Sequence, residues 1–460
     1  SCLPEMLWRF DVQSRRLGEL ADLLGGVLIG ASPETQVTGF ATDNREVNQG
    51  DVFLCIRGNR VDGHEFADQA TRSGAVACVA EREVNVPHIR VANLVEALAR
   101  MALEVRKGFE GPVVGITGSA GKTTTKEFVG AALSSLGPIL KTQGNRNTEY
   151  TAPLLWMNLE GNEVAAVVEM SMRGFGQIEH LAQFSLPTIG VVTNIGVAHI
   201  EHVGSREGVA RAKSELIEAL AANGLVIFFG GVVFFDLLRS FAHCPVATFG
   251  WGDGFDAQAM GWEAISWSES ILRGTVDGVG FEARLPVAGR HLAANALAAL
   301  LVAVRCGVPL NEASSRLWQA TLPAMRMEVL KVGHGTVILD AYNASPPAMV
   351  AALETLAELP AKRRLAILGE MKELGPVAEE MHRWVGETLG RLSLDQVLLL
   401  GEATKWVLDA AKGASGTSIE RAENLSEARG LVEGLEEGDV LLIKGSRSLE
   451  LERLVDPVGA

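Results

Sequence analysis

The sequence contains few cysteines and almost no tyrosine. Its 460 residues include five cysteines and two tyrosines, and no two cysteines form a C-x-x-C pair. Scattered cysteines of this kind argue against a zinc site and against a disulfide framework, and they are typical of a reducing compartment. The five positions are Cys2, Cys55, Cys78, Cys244 and Cys306.

The sequence also lacks a surplus of positive charge and a long apolar run. It has 41 Lys and Arg against 56 Asp and Glu, a formal net charge of −15, and such a surface repels nucleic-acid backbones. The longest apolar run, residues 225–235, is too short to span a bilayer, and the first residues lack the apolar segment of a secretory signal. We therefore expect a cytoplasmic protein with no membrane span that does not bind nucleic acid.

The composition that is present is that of a globular chain, with 47% apolar and 21% charged residues. At about 150 residues per domain, the length predicts about three domains. Breaks at Gly111-Pro112 and Leu322-Pro323 divide the chain into residues 1–110, 111–322 and 323–460.

Short apolar runs alternate with helical patterns in the second and third of these domains. This alternation is typical of parallel α/β sheets, so we predict an α/β protein with a central parallel-sheet domain and a C-terminal Rossmann-like domain. The first domain has short strand-like runs and a helical pattern at residues 66–73 and is also predicted to be α/β. The strands predicted in the last two domains are residues 113–117, 165–168, 188–192, 336–339, 365–368, 397–400 and 440–443.

A glycine-rich segment between a predicted strand and a predicted helix is the sharpest local pattern. Its glycines let backbone N–H groups face a phosphate, and the helix N-terminus adds positive potential. Lys122 would neutralise the β- and γ-phosphates, and the Thr123 hydroxyl could hold Mg²⁺. The segment is not a strict G-x-x-x-x-G-K-T, and a plain glycine turn is the alternative. The predicted phosphate loop comprises Gly118, Ser119, Ala120, Gly121, Lys122, Thr123 and Thr124.

Other polar residues follow the predicted strands. Glu169 closes one strand, where it could hold Mg²⁺ or reach solvent, and the sequence does not decide between the two. His199 follows another strand, and a histidine there is more often packed or at the surface than a ligand. Lys213 lies in a helical pattern and by spacing alone is typical of a solvated helix face. Asp340 and Lys444 follow strands of the third domain, at turns that could bind an anion or simply connect elements.

The order of these elements resembles the Mur ligase family, and most closely its MurF type, over essentially the whole chain. A tyrosine-containing element at residues 342–344 and an E-L-G element at residues 373–375 separate MurF-like from MurE-like chains, which carry D-N-P-R instead. The matching elements are residues 42–45, 50–53, 62–66, 117–124, 144–147, 169–170, 176–178, 193–194, 199, 213–215, 289–291, 295–299, 325–327, 340–346, 369–375, 382 and 444–447.

The resemblance implies an ATP-dependent amide-bond-forming ligase of peptidoglycan precursor synthesis. Such enzymes transfer the γ-phosphoryl group of ATP to the carboxylate of UDP-MurNAc-tripeptide, and the amine of D-Ala-D-Ala attacks the resulting acyl phosphate. The cofactors implied are ATP and two Mg²⁺ ions, and we expect a monomer. The site would be completed when the third domain closes onto the second.

The resemblance also implies roles for individual residues. The catalytic residues would be Lys122, Glu169, His199 and Lys213, with Lys213 carboxylated by CO₂. The metal ligands would be Thr123, Glu169, His199 and Lys213. The nucleotide would contact Asn295, Arg326 and Asp340 in addition to the phosphate loop. The substrates would contact Thr42, Asp43 and Arg45 in the UDP-binding N-terminal domain, and Asn145, Asn147, Tyr342 and Asn343 elsewhere.

The chain departs from the family at the N-x-D-D element that usually follows a strand, where it has Phe229-Gly230-Gly231-Val232. Three alternatives to the MurF-type ligase remain open at this point. They are a MurE-like ligase that adds a single amino acid, a nucleotide-binding protein of this fold without turnover, and a generic P-loop ATPase that acts on a protein partner. The sequence does not tell whether the third residue of the tripeptide is diaminopimelate or lysine.

Overall fold

The computed structural model describes residues 9–58, 61–412 and 416–455, so Cys2 lies outside the described residues. Three sheets follow one another along the chain, within residues 9–90, 113–285 and 328–444. This confirms the predicted α/β class with three sheet-containing regions. The domain bounds of 1–110, 111–322 and 323–460 stay a prediction.

The first sheet has six strands in the order β1-β3-β4-β5-β6-β2. Its inner strands β3 to β6 run parallel, and the outer pairs β1–β3 and β2–β6 are antiparallel. The elements are β1 (Arg9–Arg16), α1 (Leu17–Leu24), β2 (Val27–Ile29), β3 (Gln36–Ala41), β4 (Asp51–Leu54), a 3₁₀ helix (Gly63–Phe66), α2 (Ala67–Ser73), β5 (Ala77–Ala80), β6 (His88–Arg90) and α3 (Leu94–Arg106).

The central region holds nine strands and seven α-helices. The elements are β7 (Val113–Thr117), α4 (Lys122–Leu133), β8 (Ile139–Lys141), a 3₁₀ helix (Pro153–Asn158), β9 (Ala165–Glu169), α5 (Gln177–Ser185), β10 (Ile189–Val192), α6 (Ile200–Val203), α7 (Arg206–Glu218), β11 (Leu225–Phe229), α8 (Phe235–Ser240), β12 (Val246–Trp251), β13 (Ala257–Ser266), β14 (Glu269–Val276), β15 (Val279–Leu285), α9 (Arg290–Arg305), α10 (Leu310–Arg316) and a 3₁₀ helix (Leu317–Gln319).

The central sheet has the order β15-β14-β13-β12-β11-β10-β7-β9-β8 and is parallel from β8 to β13. It then continues through antiparallel strands β14 and β15, which the sequence analysis did not identify. The predicted parallel sheet is therefore extended by an antiparallel edge. Strands β7, β9 and β10 are buried throughout, as expected for strands covered on both faces.

The third sheet has the order β16-β17-β21-β18-β19-β20 and is parallel except for β16. Its four predicted strands are all present. The elements are β16 (Glu328–Val332), β17 (Gly335–Asp340), α11 (Pro346–Glu358), β18 (Arg364–Gly369), a 3₁₀ helix (Gly375–Val377), α12 (Ala378–Leu389), β19 (Gln396–Leu400), α13 (Thr404–Ala410), β20 (Ser418–Ala422), α14 (Leu425–Glu433), β21 (Val440–Lys444) and two 3₁₀ turns (Arg447–Leu449 and Leu451–Leu454).

Helices cover both faces of the central sheet. The apolar side chains of α4 and α9 pack with one face, and those of α5 and α7 pack with the other. Because parallel strands end at the same edge of a sheet, the carboxyl ends of β7, β9 and β10 meet there, and ligands of α/β proteins bind at such edges. None of the helices in the described ranges is both long and apolar enough to cross a membrane.

Candidate active site

The predicted phosphate loop lies between β7 and α4, closely packed against two other segments. Gly118 and Gly121 have φ values of 152° and 81°, in the region that favours glycine. A Cβ on Gly118 would lie 1.8 Å from the Thr193 Oγ1, and one on Gly121 would lie 2.8 Å from the Asn295 Oδ1. Both positions therefore require glycine, and Asn295 of α9 lies directly beside the start of α4.

The segment that follows β10 supports this loop by hydrogen bonds. The backbone N–H of Ala120 donates to the Asn194 Oδ1 (2.9 Å), and that of Ser119 donates to the Asn194 carbonyl (3.2 Å). The Ser119 hydroxyl accepts from the N–H of Gly196 (2.9 Å), and the Thr193 hydroxyl donates to the Ala120 carbonyl (2.5 Å). These bonds fix the loop before any ligand is bound.

Lys122 begins α4 and turns back over the loop, where its Nζ donates to the Gly118 carbonyl (2.8 Å). Burial lowers the pKa of its ammonium, Glu169 opposes this shift, and Arg326 adds to it. Thr123 and Thr124, the next two residues of α4, are buried. Two cations, Lys122 and Arg326, therefore lie near the loop, and an anion between them would be stabilised.

Glu169, the last residue of β9, is only 2% exposed, so the alternative of a charge that reaches solvent is wrong. Its Oε1 accepts from the Asn147 Nδ2 (2.8 Å), and its N–H donates to the Thr142 hydroxyl (3.0 Å). Its Oε2 has no hydrogen-bond partner among the described residues. A buried carboxylate oxygen without a donor fits a hard divalent cation such as Mg²⁺.

The chain offers few further ligands for a metal at this position. Among the described residues, no three His, Cys, Asp or Glu side chains converge as a metal cage would require. Mg²⁺ is commonly held by one or two carboxylates together with substrate phosphates. Glu169 with the Thr123 hydroxyl fits that pattern.

Lys213 lies in α7 and is 1% exposed, so the sequence-based expectation of a solvated lysine is wrong. Helix α7 packs against α5, α6 and α8, so more of its surface is buried than its amphipathic pattern indicates. Burial and the nearby Lys122 hold the pKa of the Lys213 amine well below its usual value, and Glu215 opposes them. Burial of this kind favours the neutral form of an amine over its charged form.

His199 lies at the boundary between the central and C-terminal regions. Its backbone has a φ of 64°, and its Nδ1 is 2.8 Å from the Glu373 Oε2. Burial and Lys122 lower the pKa of His199 to about 4, although Glu373 acts in the opposite direction. The imidazole is therefore neutral at neutral pH and available as a hydrogen-bonding or metal-ligating group.

The C-terminal region contributes Arg326, which lies between two residues of positive φ, Met325 (59°) and Met327 (53°). The Arg326 guanidinium lies 4.3 Å from the centre of the Tyr342 ring. Left-handed backbone at residues other than glycine is uncommon and is frequent at functional sites. The two methionines thus fix the direction in which Arg326 approaches the phosphate loop.

Asp340 and Lys444 end the neighbouring strands β17 and β21 and form a buried ion pair, with 2.7 Å between the Asp340 Oδ2 and the Lys444 Nζ. Lys444 also donates to the Asn343 carbonyl (3.1 Å), and the Asp340 Oδ1 accepts from the N–H of Met327 (3.3 Å). Asp340 therefore also holds the backbone beside Arg326.

Residues 144–147, here called the junction loop, contact all three sheet-containing regions. The Asn145 side chain acts on the phenol of Tyr342 in the third region, where it opposes the rise that burial causes in the Tyr342 pKa. The Arg146 guanidinium lies 4.0 Å from the centre of the Phe10 ring of the first region. Asn147 holds Glu169 of the central region, as described above. Asn145, Asn147 and Tyr342, predicted as substrate contacts, are thus brought together around Glu169 and the phosphate loop.

The predicted UDP-binding residues lie in the first region, just after β3. The Asp43 carboxylate accepts from the Arg45 guanidinium (2.9 Å), which lowers the pKa of Asp43, and Arg45 is otherwise exposed. Thr42 precedes this pair. These three residues belong to the first sheet-containing region, whereas the phosphate loop belongs to the central one.

The apolar element at residues 229–232 is packed with aromatic rings. The Phe229 ring lies 5.6 Å from the Phe249 ring, and a Cβ on Gly230 would lie 2.0 Å from the Phe255 ring. The sequence analysis did not identify two further residues near the site, Lys126 and Glu373, as functional. The sequence did offer one signal for Lys126, because a second lysine follows Lys122 by one helical turn in α4.

The chain matches three family descriptions in sequence order. These are "Mur ligase family, catalytic domain" over residues 36–127, "Mur ligase middle domain" over residues 116–303, and "Mur ligase, glutamate ligase domain" over residues 325–447. Together they span the phosphate loop, Glu169, Lys213 and Asp340.

This chain is also similar to curated proteins and solved structures over nearly its whole length. A UDP-N-acetylmuramoyl-tripeptide–D-alanyl-D-alanine ligase of Bacillus subtilis is 33% identical over 96% of this chain and 97% of its own. One of Synechocystis is 36% identical over 92% of both chains. The structure of MurF from Acinetobacter baumannii aligns with a TM-score of 0.86 at 28% identity over 96% of this chain and 98% of its own. That of MurF ligase from Thermotoga maritima in complex with ADP aligns with a TM-score of 0.77 at 32% identity over 90% and 95%.

Proposed function

Because this chain belongs to the Mur ligase family, we propose that it joins D-alanyl-D-alanine to UDP-N-acetylmuramoyl-tripeptide with hydrolysis of ATP to ADP and phosphate. The observation that carries the proposal is the likeness to ligases of this name, which covers nearly the full length of both chains at 33% and 36% identity. The ADP-bound relative supports the use of ATP.

In this reaction the tripeptide carboxylate attacks the γ-phosphorus of ATP, and ADP leaves. The acyl phosphate is then attacked by the free amine of D-alanyl-D-alanine, and phosphate leaves as the amide forms. The protein must align the reacting groups and offset the charge on the transferred phosphoryl group. Lys122 of the phosphate loop and Arg326 of the C-terminal region would supply this positive charge.

We assign a Mg²⁺ site to Glu169 and Thr123, and a second one to His199 and carboxylated Lys213. The ion held by Glu169 and Thr123 would neutralise charge on the β- and γ-phosphate oxygens. Asn147 keeps the Glu169 carboxylate oriented through its hydrogen bond to Oε1. The Oε2, which accepts no hydrogen bond and lies 3.8 Å from the Lys126 Nζ, is the oxygen that this assignment leaves for the ion.

The carboxylation of Lys213 requires that its amine is neutral. A neutral amine attacks the carbon of CO₂, an N–C bond forms, and one proton leaves the nitrogen to give an anionic carbamate. Burial lowers the pKa of Lys213 and so favours the neutral amine that this reaction needs. The carbamate would place an anionic oxygen where a lysine would otherwise repel a metal ion.

The remaining residues would recognise the substrates. Asn295, which lies against Gly121, and Asp340 would contact the nucleotide, and Thr42, Asp43 and Arg45 would hold the UDP group. Tyr342 and Asn343 of the third region, with Asn145 and Asn147 of the junction loop, would line the place where the dipeptide amine attacks. We propose that a monomer carries the complete site.

A substrate panel tests the proposed function. The purified chain is given ATP, Mg²⁺ and UDP-N-acetylmuramoyl-tripeptide carrying either lysine or diaminopimelate, and then D-alanyl-D-alanine or single amino acids. We expect a pentapeptide product, identified by mass, only with the dipeptide. A parallel reaction contains UDP-N-acetylmuramoyl-dipeptide and a single amino acid. Addition of that amino acid to UDP-N-acetylmuramoyl-dipeptide would instead establish a MurE-like activity and overturn the proposal.

A further inference from the structure

Lys126 is a fully buried lysine one helical turn after Lys122. Its Nζ donates to the carbonyl of Gly144, the first residue of the junction loop (3.1 Å). The same nitrogen is 3.3 Å from the Glu127 Oε1 and 3.8 Å from the Glu169 Oε2. The ammonium therefore makes one hydrogen bond, to a carbonyl, and lies within ion-pair distance of two carboxylates. A charge held this completely is a fixed part of the fold.

The two carboxylates beside Lys126 are not equivalent. Glu127 also pairs with Lys141, which is partly exposed, so it keeps a partner when Lys126 is removed. Within the described residues, Glu169 forms a single ion pair, and its partner is Lys126. Lys126 is therefore the cation on which the buried Glu169 depends.

A second lysine, Lys122, interacts electrostatically with Glu169. Glu169 raises the pKa of Lys122 against the effect of burial, so the two side chains interact. Even so, the Lys122 ammonium donates to the Gly118 carbonyl and does not pair with Glu169. Glu169 therefore interacts with two lysines and forms its ion pair with Lys126, which lies one helical turn after Lys122 of the phosphate loop.

We propose that Lys126 is a positioning residue that holds Glu169 away from Lys122, so that the Lys122 ammonium stays available for nucleotide phosphates. A buried carboxylate that loses its partner is strongly destabilised and moves towards another cation. Without Lys126, Glu169 turns to Lys122, and the phosphates of the nucleotide must displace it. The proposal rests on the assignment of Lys122 as the phosphate-binding lysine.

The test is the affinity for ADP in the presence of EDTA, measured by calorimetry, because the proposed competition does not involve the metal. Lys126→Met should bind ADP about tenfold more weakly than the wild type, since a charge-assisted contact is to be broken first. Lys126→Met/Glu169→Gln should restore the wild-type affinity, because the competing carboxylate is gone. Lys126→Met/Glu127→Gln restores the same net charge but leaves Glu169 in place, and it should stay weak.

Lys141→Met is the matched single control, since it removes a lysine from the same network without a contact to Glu169. It should bind ADP as the wild type does. Thermal unfolding of each variant separates misfolding from lost affinity, and Lys126→Gln, which keeps a donor for Gly144, replaces Lys126→Met if that variant does not fold. Wild-type affinity in the Lys126 variant, or equal rescue by both double variants, would overturn the proposal. If the wild type bound no ADP with EDTA or with Mg²⁺, the proposed function would fail instead.

Discussion

The Nδ1 of His199 lies 2.8 Å from the Oε2 of Glu373, across the boundary between the central and C-terminal regions. Both residues have left-handed backbone, with φ values of 64° and 61°. Such residues cost about 1 kcal/mol or more each and persist only where their surroundings hold them. Close by, a Cβ on Gly375 would lie 3.3 Å from the Cβ of Glu201. The C-terminal region therefore touches the central one beside the phosphate loop.

This contact predicts a role for Glu373 in holding the two regions together. Because the His199 imidazole is neutral and the Glu373 side chain is half exposed, this contact is no stronger than a surface pair and contributes about 0.5–1 kcal/mol. Glu373→Ala should therefore lower kcat/KM about two- to fivefold, and small-angle scattering should show a larger radius of gyration. Glu380→Ala, an exposed change in the same region, is the control. An unchanged radius and kcat/KM in Glu373→Ala would show that the contact has no role in closure.

Lys122 is predicted to be indispensable for turnover. It is the lysine of the phosphate loop, and Arg326 approaches from another region of the chain, so neither replaces the other. Lys122→Ala should reduce kcat by a factor on the order of 10²–10³ or more, because one preorganised group at the transferred phosphoryl group is lost. The measurement is phosphate release at saturating substrates. Substantial ligase activity in this variant would show that the phosphate loop has been assigned wrongly.

Lys213 is predicted to act as a carbamate. Lys213→Ala should be inactive and should regain part of its activity in the presence of a short carboxylate such as acetate, which can enter the space that the side chain leaves. Lys213→Met, which refills that space, is the matched control and should not be rescued. A carbamate signal should appear in the ¹³C spectrum of the wild type with labelled bicarbonate and be absent from both variants. Failure of every concentration of acetate would leave Lys213 a structural lysine.

The lowered pKa of His291, at the start of α9, predicts that the protein loses stability in mild acid. Burial and Lys444 lower its pKa to about 4, and Asp340 opposes them. Between that value and the ordinary pKa of about 6.5, the unfolded chain binds more protons at this residue than the folded chain does, so stability falls as the pH falls. The melting temperature of His291→Gln should drop less than that of the wild type between about pH 7 and about pH 5. Parallel curves for the two proteins would contradict this assignment.

The strands that were predicted correctly share one physical property. Residues 113–117 and 440–443 are continuous apolar runs because helices cover both faces of their sheets, so the sequence alone indicates them. Strands β14 and β15 alternate more and less buried positions, with Arg273 and Arg284 exposed, and no continuous run marks them. The antiparallel edge of the central sheet was missed for this reason.

The parts of the site that the sequence did not predict depend on packing between distant segments. The spacing of α7 indicates a solvated Lys213, and only the neighbouring helices bury it. The contacts of His199 with Glu373 and of Asn145 with Tyr342 join residues that are far apart in sequence. They depend on how the three sheets are arranged, which no local pattern encodes.

The central claim is tested most directly by the release of phosphate from ATP in the presence of Mg²⁺, with UDP-N-acetylmuramoyl-tripeptide and D-alanyl-D-alanine added separately and together. Our account predicts rapid release only when both are present, with one phosphate formed for each UDP-N-acetylmuramoyl-pentapeptide. Release that is indifferent to both substrates would contradict it and indicate a general ATPase. Binding of ATP without any release would contradict it as well and indicate a protein of this fold that has lost turnover.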